Sequence, residues 1–250
     1  MDQVAGRHPA ADLDRGGKRD AVGPGGRGHW TMLMDHWPLL GLRLTTPRLE
    51  LRLPSEEELG ELADLAAGGI HEPDRMPFIV PWTDLPPAER ARSVVQHHWL
   101  RRGNWTGDNW DLNLSVFKDG RVVGLQAIAA RDFAALRQVS TASWLGIRHQ
   151  RQGIGTEMRA AALHLAFVGL GAADALSGAF EDNASSFAVS GKLGYEPDGV
   201  EQLAVRGRRV TMRRLRLSRA RWETHQRVSV TVAGLRPCLP LFGLPDKATA

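Results

Sequence analysis

A short basic turn with two glycines lies between a predicted strand and a predicted helix. The apolar strand end Trp144-Leu145 leads through Ile147 into the turn Gln150-Arg151-Gln152-Gly153-Ile154-Gly155, and a helix follows at once. The apolar residues of this helix recur at the spacing of one buried stripe: Met158, Ala161, Ala162, Leu165 and Ala166. Such a turn directs unpaired backbone N–H groups and the positive end of the helix dipole at one point. The turn therefore predicts an anion site, most naturally for a phosphate or diphosphate.

Two common nucleotide-binding motifs do not fit this turn. The dinucleotide fingerprint needs a third small residue where Met158 stands, and the P-loop needs a Gly-Lys-Ser/Thr ending that Gly155-Thr156 does not provide. The remaining pattern is Gln/Arg-x-x-Gly-x-Gly/Ala, from Gln150 to Gly155. A plain strand-to-helix connection stays the alternative, because short glycine turns are common.

The order of apolar patterns along the chain predicts one mixed α/β domain. The predicted strands cover residues 42–44, 49–53, 111–117, 121–129, 137–147, 173–180, 200–205, 208–217 and 228–232. The predicted helices cover residues 56–67, 88–102, 154–168 and 184–193, with a further helical turn at 218–225. The first two strand runs count as one interrupted strand, so we expect a central sheet of about seven strands flanked by helices.

Local signals set the limits of several elements. Ser55 and Glu58 have the spacing of a capping box, and Asn183 stands where it would cap the last core helix. Asp119-Gly120 predicts a hairpin turn. Trp99-Leu100 are the expected packing residues of the second helix. A helical crossover joins the strand at 137–147 to the strand at 173–180, so these strands should lie parallel if they are neighbours.

Composition divides the chain into three parts and limits its class. Residues 1–36 are rich in Gly, Asp and Arg without an apolar period and predict a disordered tail; 37–225 form the domain, and 226–250 a C-terminal extension with a short strand. The single cysteine, Cys238, excludes an intrachain disulfide and a cysteine metal cluster. No apolar run suits a membrane span, and no signal-peptide core is present, which favours a cytoplasmic location.

Three separated motifs in the same order resemble the GNAT N-acyltransferase superfamily, specifically its RimJ/RimL-type branch. They are the turn from Gln150 to Gly155, the run Thr46-Pro47-Arg48-Leu49-Glu50-Leu51-Arg52, and the run from Asn183 to Tyr195. The loop from His71 to Phe78 is similar to actinobacterial members, among them a succinyltransferase. The resemblance covers residues 42–222 and implies the GNAT fold and an acyl transfer from coenzyme A to an amine.

The resemblance also implies which residues bind acyl-coenzyme A, either acetyl-CoA or succinyl-CoA. The strand end would pair with the pantetheine arm, and the turn would hold the diphosphate. The implied residues are Leu145, Gly146, Ile147, Gln150, Arg151, Gln152, Gly153, Ile154, Gly155, Thr156, Asn183 and Ser186. Arg151 as a solvated surface residue and Asn183 as a helix cap alone are the alternatives. A cap uses only the amide oxygen of Asn183, so both of its roles are compatible.

The implied catalytic residues are Asn183 and Ser186 beside the thioester and Tyr195 as the acid for the leaving thiolate. Tyr195 is the only tyrosine, and a core position is its alternative. Many relatives carry a glutamate base on the strand where this chain has Ser140, and a serine without an adjacent base does not accept a proton near neutral pH. Substitutes left open are Asp111, Asp132, His71, Glu181 and a water chain.

The acceptor pocket is expected between the first two core helices, lined by their connecting loop. Its candidate residues are His71, Arg75, Met76, Phe78 and Trp82, with apolar closure of the helix pair as the alternative. Arg75 or His71 would suit the carboxylate of a succinyl donor, whereas an acetyl donor needs no cation. A small amine, a protein N-terminus and a lysine side chain all stay open as acceptors.

Two other functional classes are alternatives to the transferase. Six arginines on the terminal hairpin would suit phosphate contacts to a nucleic acid: Arg206, Arg208, Arg209, Arg213, Arg214 and Arg216. No exposed aromatic residues alternate with them and no recognition-helix motif is present, so a solvated strand face is favoured. The missing glutamate keeps a non-catalytic acyl-CoA binder open. We expect neither a metal nor a membrane partner, and exchange of the strand after Trp222 would permit a homo-oligomer.

Overall fold

The protein is described by a computed structural model, which gives the placement of residues 32–245. The predicted disordered tail lies outside the described residues as far as residue 31. The described chain starts with one helical turn, α1 (Leu33–His36). No helix in this range combines the length and the apolar character that a bilayer span needs.

Nine strands of the described chain form one mixed sheet. They are β1 (Arg43–Thr45), β2 (Glu50–Arg52), β3 (Asn109–Lys118), β4 (Arg121–Arg131), β5 (Gln138–Leu145), β6 (Asp174–Phe180), β7 (Glu196–Val205), β8 (Arg208–Ser218) and β9 (Thr231–Ala233). Their order across the sheet is β7-β8-β6-β5-β4-β3-β2-β1-β9. The mixed α/β class is confirmed.

The strand count is nine rather than about seven, for two local reasons. The Thr46 N–H donates to the Leu49 carbonyl at 2.9 Å, closing a turn around Pro47. The two runs that the sequence joins therefore pair with each other antiparallel, with Arg43 opposite Arg52. In addition, β9 from the C-terminal extension pairs with β1.

Helices cover both faces of the sheet. They are α2 (Glu56–Ala67), α3 (Pro87–Gly103), α4 (Phe133–Leu136), α5 (Ile154–His164), α6 (Ala184–Lys192) and α7 (Arg219–His225). The capping box of Ser55 and Glu58 is present, and Asn183 accepts a hydrogen bond from the Ser186 N–H, so both predicted caps are confirmed.

Each face of the sheet has its own apolar core. On one face, here called the α5 face, the predicted stripe of α5 and the turns after it is fully buried. On the other, the α2 face, α2 and α3 pack over Phe117 and Leu125. The packing residue of α3 is Val94, whereas Trp99 and Leu100 are exposed, so that expectation was wrong. Trp99 instead lies along α2, where its ring N–H donates to Glu56.

The C-terminal extension completes the core of the domain. Cys238, Leu239 and Phe242 are buried, and the Phe242 ring lies 4.9 Å from the Trp110 ring, measured between centroids. The Trp105 ring N–H donates to the Leu241 carbonyl at 2.7 Å. Residues after 225 therefore pack with the first strands of the sheet.

Candidate functional site

A wedge-shaped cleft opens between β5 and β6, the two parallel neighbours in the sheet. They pair only where Gln138–Ser140 face Asp174–Leu176, and then they separate. β4 pairs with the far edge of β5 up to Leu145, and β8 pairs with the far edge of β6 up to Phe180. Each strand thus keeps one unpaired backbone edge, which suits an extended ligand with amide groups. The predicted parallel crossover is confirmed.

The glycine turn lies at the wide end of this cleft and has a run of free donors. Within residues 32–245, the six backbone N–H groups from Arg151 to Thr156 find no acceptor, and the N-cap Gly153 supplies no side chain to cap α5. Helix N-terminal donors without partners, together with the helix dipole, attract an anion. This geometry fits the diphosphate of a coenzyme, as the sequence predicts.

Close packing explains one glycine around the turn, and backbone conformation explains another. A Cβ on Gly146 would lie 2.4 Å from Leu65 Cδ1, so the strand end could not approach α2. Gly153 has φ +79°, a conformation that favours glycine. At Gly155 a Cβ would meet Val189 only at 3.7 Å, which is ordinary contact and agrees with a Gly/Ala position.

An ion pair between the β1–β2 loop and α5 supports the glycine turn. Arg48 Nε donates to Glu157 Oε2 at 2.7 Å, and Arg48 Nη1 donates to the Gln152 carbonyl at 3.1 Å. Thr46 Oγ1 also donates to Glu157 at 2.7 Å, inside the protein. The sequence motif around Arg48 pointed to the family, but it did not indicate this supporting role.

The glutamines of the turn are used to shape it. Gln150 Nε2 donates to the carbonyls of Ile70 at 2.6 Å and Leu145 at 3.0 Å, which joins the α2–α3 loop to the end of β5. Gln152 Nε2 donates to the Arg148 carbonyl at 2.9 Å. Arg151 is exposed, and its guanidinium has no partner in the described part of the chain, so both interpretations of this residue stand.

Asn183 lies beside the cleft, just after β6. Its Oδ1 accepts from the Ser186 N–H at 3.1 Å. Its Nδ2 donates to no atom of residues 32–245, so the cap leaves two N–H groups for a ligand. Asn183 and Ser186 are both half-buried, and the structure brings them together as the sequence predicts.

With this geometry established, a comparison with known families identifies the fold. Residues 48–196, more than half of the chain, match the family described as the acetyltransferase (GNAT) domain. The protein belongs to the GNAT acetyltransferase family. The resemblance in the three sequence motifs is thereby confirmed.

Solved GNAT structures share the fold at low sequence identity. Mycobacterium smegmatis RimJ, solved with a CoA disulfide, has a TM-score of 0.57 and 16% identity over 77% of this chain and 98% of that chain. RimL, the ribosomal L7/L12 alpha-N-protein acetyltransferase solved with coenzyme A, has a TM-score of 0.55 and 18% identity over 69% and 95%. A GCN5-related N-acetyltransferase from Brucella melitensis has a TM-score of 0.58 and 18% identity over 74% of this chain and 81% of that chain.

Tyr195 of this GNAT domain lies in the core beneath the apex of the cleft. It is 7% exposed, and its hydroxyl lies 3.2 Å from Thr141 Oγ1. Burial raises the pKa of Tyr195, although the Arg159 guanidinium and the Thr141 hydroxyl oppose that shift. The position fits the core alternative, and the acid role stays a prediction.

Arg159 is a buried cation that the sequence did not single out. It is 6% exposed and joins the cleft wall to α6, since Nη1 donates to Ser190 Oγ at 3.0 Å and Nη2 to Ser143 Oγ at 3.3 Å. Its Nε has no acceptor among the described residues. Burial lowers the pKa of Arg159, because removal from water disfavours the charged guanidinium. The two hydrogen bonds of this side chain nevertheless hold β5 and α6 together.

Four of the five predicted acceptor-loop residues come together on the α2 face. The ring of Phe78 lies 5.8 Å from His71 and 5.4 Å from Trp82, and Trp82 lies 6.0 Å from Trp144, all between centroids. Met76 joins this group through Thr83, whose hydroxyl contacts the Met76 sulfur at 3.8 Å. Trp144 was missed as a lining residue because its strand alone does not show which face it joins.

Arg75, the fifth residue, stands apart at the exposed surface of the loop. Its guanidinium has no hydrogen-bond or ion-pair partner within residues 32–245. His71 is already held, since its ring nitrogens lie 2.7 Å from Thr83 Oγ1 and 2.8 Å from the Glu72 carbonyl. Of the two predicted carboxylate ligands, Arg75 is the one free to bind.

Arginines of the terminal hairpin form ion pairs inside the domain. Arg206 Nε donates to Asp84 Oδ2 at 2.8 Å, which ties the β7–β8 turn to the acceptor loop. Arg213 pairs with Glu181 at 2.9 Å, and Arg216 pairs with Asp174 at 3.1 Å. Most of the six arginines are exposed, as predicted for a solvated strand face, and these three also pair with acidic residues of the domain.

The C-terminal extension also borders a cavity of about 200 Å³ next to α5. Its wall includes Thr156 and Ala160 of α5 and the basic residues Lys192, His225 and Arg227. The side chains of Lys192 and Arg227 thus lie in the same cavity wall as the first turns of α5. Among residues 32–245, no group of three or more His, Cys, Asp or Glu residues is arranged to hold a metal ion.

Proposed function

We propose that the protein is an acyl-CoA-dependent N-acyltransferase that moves an acetyl or succinyl group to a primary amine by direct attack in a ternary complex. The observation that carries this proposal is the pairing of a free donor run from Arg151 to Thr156 with the unpaired edges of β5 and β6. Together they fit a diphosphate followed by a pantetheine arm. Membership in the GNAT family supports the same assignment.

The coenzyme supplies an activated thioester, so the protein mainly has to orient the two substrates and neutralise the charge that develops between them. The edge of β5 that β6 leaves unpaired would align the arm as far as Leu145, since the N–H groups of Gly146 and Ile147 already donate to the Val123 and Gly69 carbonyls. Asn183 would donate its free amide N–H groups beside the thioester. The half-buried aromatic cluster around Phe78 and Trp82 would exclude water from the acceptor. Arg159 would keep the cleft wall at Ser143 fixed.

The donor and acceptor are open within this class. The free guanidinium of Arg75 favours a donor with a terminal carboxylate, such as succinyl-CoA. Exposed apolar residues Ile79 and Val80 in the same loop favour an acceptor large enough to cover them, such as a protein N-terminus. RimL, by its description, acts on a protein α-amine, which makes that class of acceptor the first to examine.

The test is equilibrium binding of CoA, acetyl-CoA and succinyl-CoA by calorimetry, followed by thiol release with small amines and peptides. Gly153→Trp should abolish binding, because glycine suits the positive φ there and a Cβ would lie 3.2 Å from Arg48 Nη2, so the ring would displace the side chain that supports the turn. Gly171→Trp is the matched control, since Gly171 has a similar φ of +76° with no atom within 4 Å of a Cβ. Retained affinity in Gly153→Trp with unchanged helix content would contradict the proposal.

A non-catalytic acyl-CoA binder is the second candidate, and the exposed Ser140 in place of a glutamate favours it. Tight coenzyme binding without thiol release from any amine of the panel would support this candidate. Thiol release that depends on the amine would exclude it.

A further inference from the structure

A polar group on β3 and α3 lies on the α2 face of the sheet, two strands away from the β5 edge of the cleft, and the proposed function does not yet use it. Ser140 cannot itself take the proton of an acceptor ammonium near neutral pH. The inference below rests on the proposed transferase function and concerns which residue takes that proton.

The contacts of α3 show which way each side of this helix faces. His98 is buried against the sheet, at 1% exposure. Trp99 and Arg102 both reach Glu56 at the start of α2, each at 3.0 Å. Since successive helical residues turn by about 100°, His97 lies on the flank opposite Trp99, away from the start of α2.

Strand register connects that flank with the cleft. Asp111 faces Ala129, which faces Ser140, and a second row runs from Asn113 through Ala127 to Ala142. Opposite residues of adjacent strands share one face, and two strand spacings of about 4.8 Å place the row ends about 10 Å apart. The middle residues are alanines. Ala127 is buried in the apolar core that includes Val94 of α3, whereas Ala129 is half-buried, so the row from Asp111 to the exposed Ser140 is the more open of the two.

The polar group itself is held in place by short contacts. Asp111 Oδ1 accepts from Asn113 Nδ2 at 2.9 Å, and Asp111 Oδ2 pairs with Arg101 Nε at 3.2 Å. Arg101 is one helical turn from His97, and the Asn113 carboxamide faces the His97 ring. Part of the His97 surface is exposed, which leaves the residue accessible to solvent and to an incoming amine.

The charge around His97 suits a proton acceptor. Partial burial and the neighbouring Arg101 lower the pKa of His97, against opposing effects of Asp111 and Asn113. The ring of His98 lies 6.4 Å away, and burial keeps it neutral. The lowered pKa favours the uncharged imidazole of His97, which is the form that accepts a proton.

We propose that His97 accepts the proton of the acceptor ammonium, with Asp111 and Asn113 as positioning residues. The imidazole takes one proton and becomes imidazolium, and the freed amine nitrogen forms a bond to the thioester carbon. The carbon–sulfur bond then breaks, and the second proton of the nitrogen goes to the thiolate. The products are the amide, free coenzyme thiol and one proton on His97, which returns to water.

Other candidate bases are occupied or distant in the described chain. His71 is fixed by hydrogen bonds to Thr83 and Glu72, and Glu181 pairs with Arg213. Asp132 is exposed in the turn after β4, beyond the last register pair of β4 with β5. His97 is the titratable side chain that is both open to solvent and linked by the two rows to the cleft.

The test compares pH profiles of kcat/KM for one amine acceptor at saturating acyl donor. His97→Gln should lose at least about 100-fold at pH 7, within the usual contribution of a general base. The loss should shrink about tenfold per pH unit toward the pKa of the amine, because free amine needs no base. His36→Gln, the same change on the exposed α1, is the matched control and should retain the full rate.

A second measurement does not depend on turnover. NMR titration should give His97 a pKa below the usual range for histidine, and Asp111→Asn should lower it further. A His97→Gln variant with the wild-type pH profile would overturn this inference while the transferase function stands. Wild-type protein that binds coenzyme but transfers no acyl group would overturn both.

Discussion

Arg48 and Glu157 lie 109 positions apart and meet beneath the glycine turn, with Arg48 Nε donating to the Glu157 carboxylate at 2.7 Å. Glu157 is buried in the first turn of α5, and Arg48 follows Pro47 in the loop between β1 and β2. This ion pair connects the β1–β2 loop to the helix whose N-terminus faces the cleft. The position of the anion site therefore depends on a loop far away in sequence.

Replacing Arg48 with methionine should weaken both the fold and coenzyme binding. Glu157 would keep Thr46 as a donor but lose its countercharge, at a cost of about 1–3 kcal/mol, which lowers Tm by about 2–4 °C per kcal/mol. Coenzyme affinity should fall, because the Gln152 carbonyl loses its donor and the turn loosens. Calorimetry and thermal melting measure both effects, with Arg121→Met on the exposed start of β4 as control. An unchanged affinity would limit Arg48 to a structural role.

Substitutions of Asn183 can separate its cap from its free amide. Asn183→Asp keeps the oxygen that caps α6 but removes the N–H donors, whereas Asn183→Ala removes both. We expect both variants to lose turnover beyond a capping cost of about 1 kcal/mol. Steady-state kinetics with melting curves would show this. Wild-type turnover in Asn183→Asp would make Asn183 a helix cap and nothing more.

Tyr195→Phe tests whether the buried hydroxyl takes part in the chemistry. The ring would keep its packing, and only the contact with Thr141 would be lost. We expect turnover within a few-fold of wild type and a stability loss of about 0.5–1.5 kcal/mol, since the structure places the residue in the core. A large fall in kcat together with a changed alkaline limb of the pH profile would instead assign Tyr195 as the acid for the thiolate.

Arg75→Ala should distinguish the two donors. A charge-assisted hydrogen bond to a carboxylate contributes about 1.5–3 kcal/mol, so succinyl transfer should lose at least about tenfold. Acetyl transfer offers no carboxylate and should change little. The ratio of kcat/KM for the two donors is the measurement, and Arg92→Ala on the exposed side of α3 is the control. Equal losses for both donors would argue against carboxylate recognition.

His98 should make the free energy of unfolding depend on acidity. Burial lowers the pKa of His98 from 6.5 to about 3, so between these values the unfolded chain binds a proton that the folded protein does not. Stability should therefore rise with pH across this window and fall as pH drops below 6.5, by up to about 1.4 kcal/mol per unit. Urea unfolding at several pH values should show a smaller slope for His98→Leu. Parallel slopes for both proteins would contradict the burial of a neutral ring.

Several elements follow from local sequence because their signals are local. Four features depend on residues close together in sequence: the capping box at Ser55, the cap at Asn183, the hairpin at Asp119-Gly120 and the buried stripe of α5. The glycine turn is of the same kind, since its free donors arise from the chain direction at Gly153. The motifs that placed the chain in the GNAT family lie in these same segments.

Tertiary structure alone decided the rest, because it brings distant segments together. Trp99 and Leu100 looked like packing residues, but the direction of α3 over the sheet buries Val94 and His98 instead. Three features depend on residues that are far apart in sequence, so local patterns could not predict them. They are the Arg48–Glu157 ion pair, the hydrogen bonds of buried Arg159, and the row from Asp111 to Ser140. The sequence determined the chemistry of the turn, whereas strand register and helix direction determined which polar side chains face the cleft.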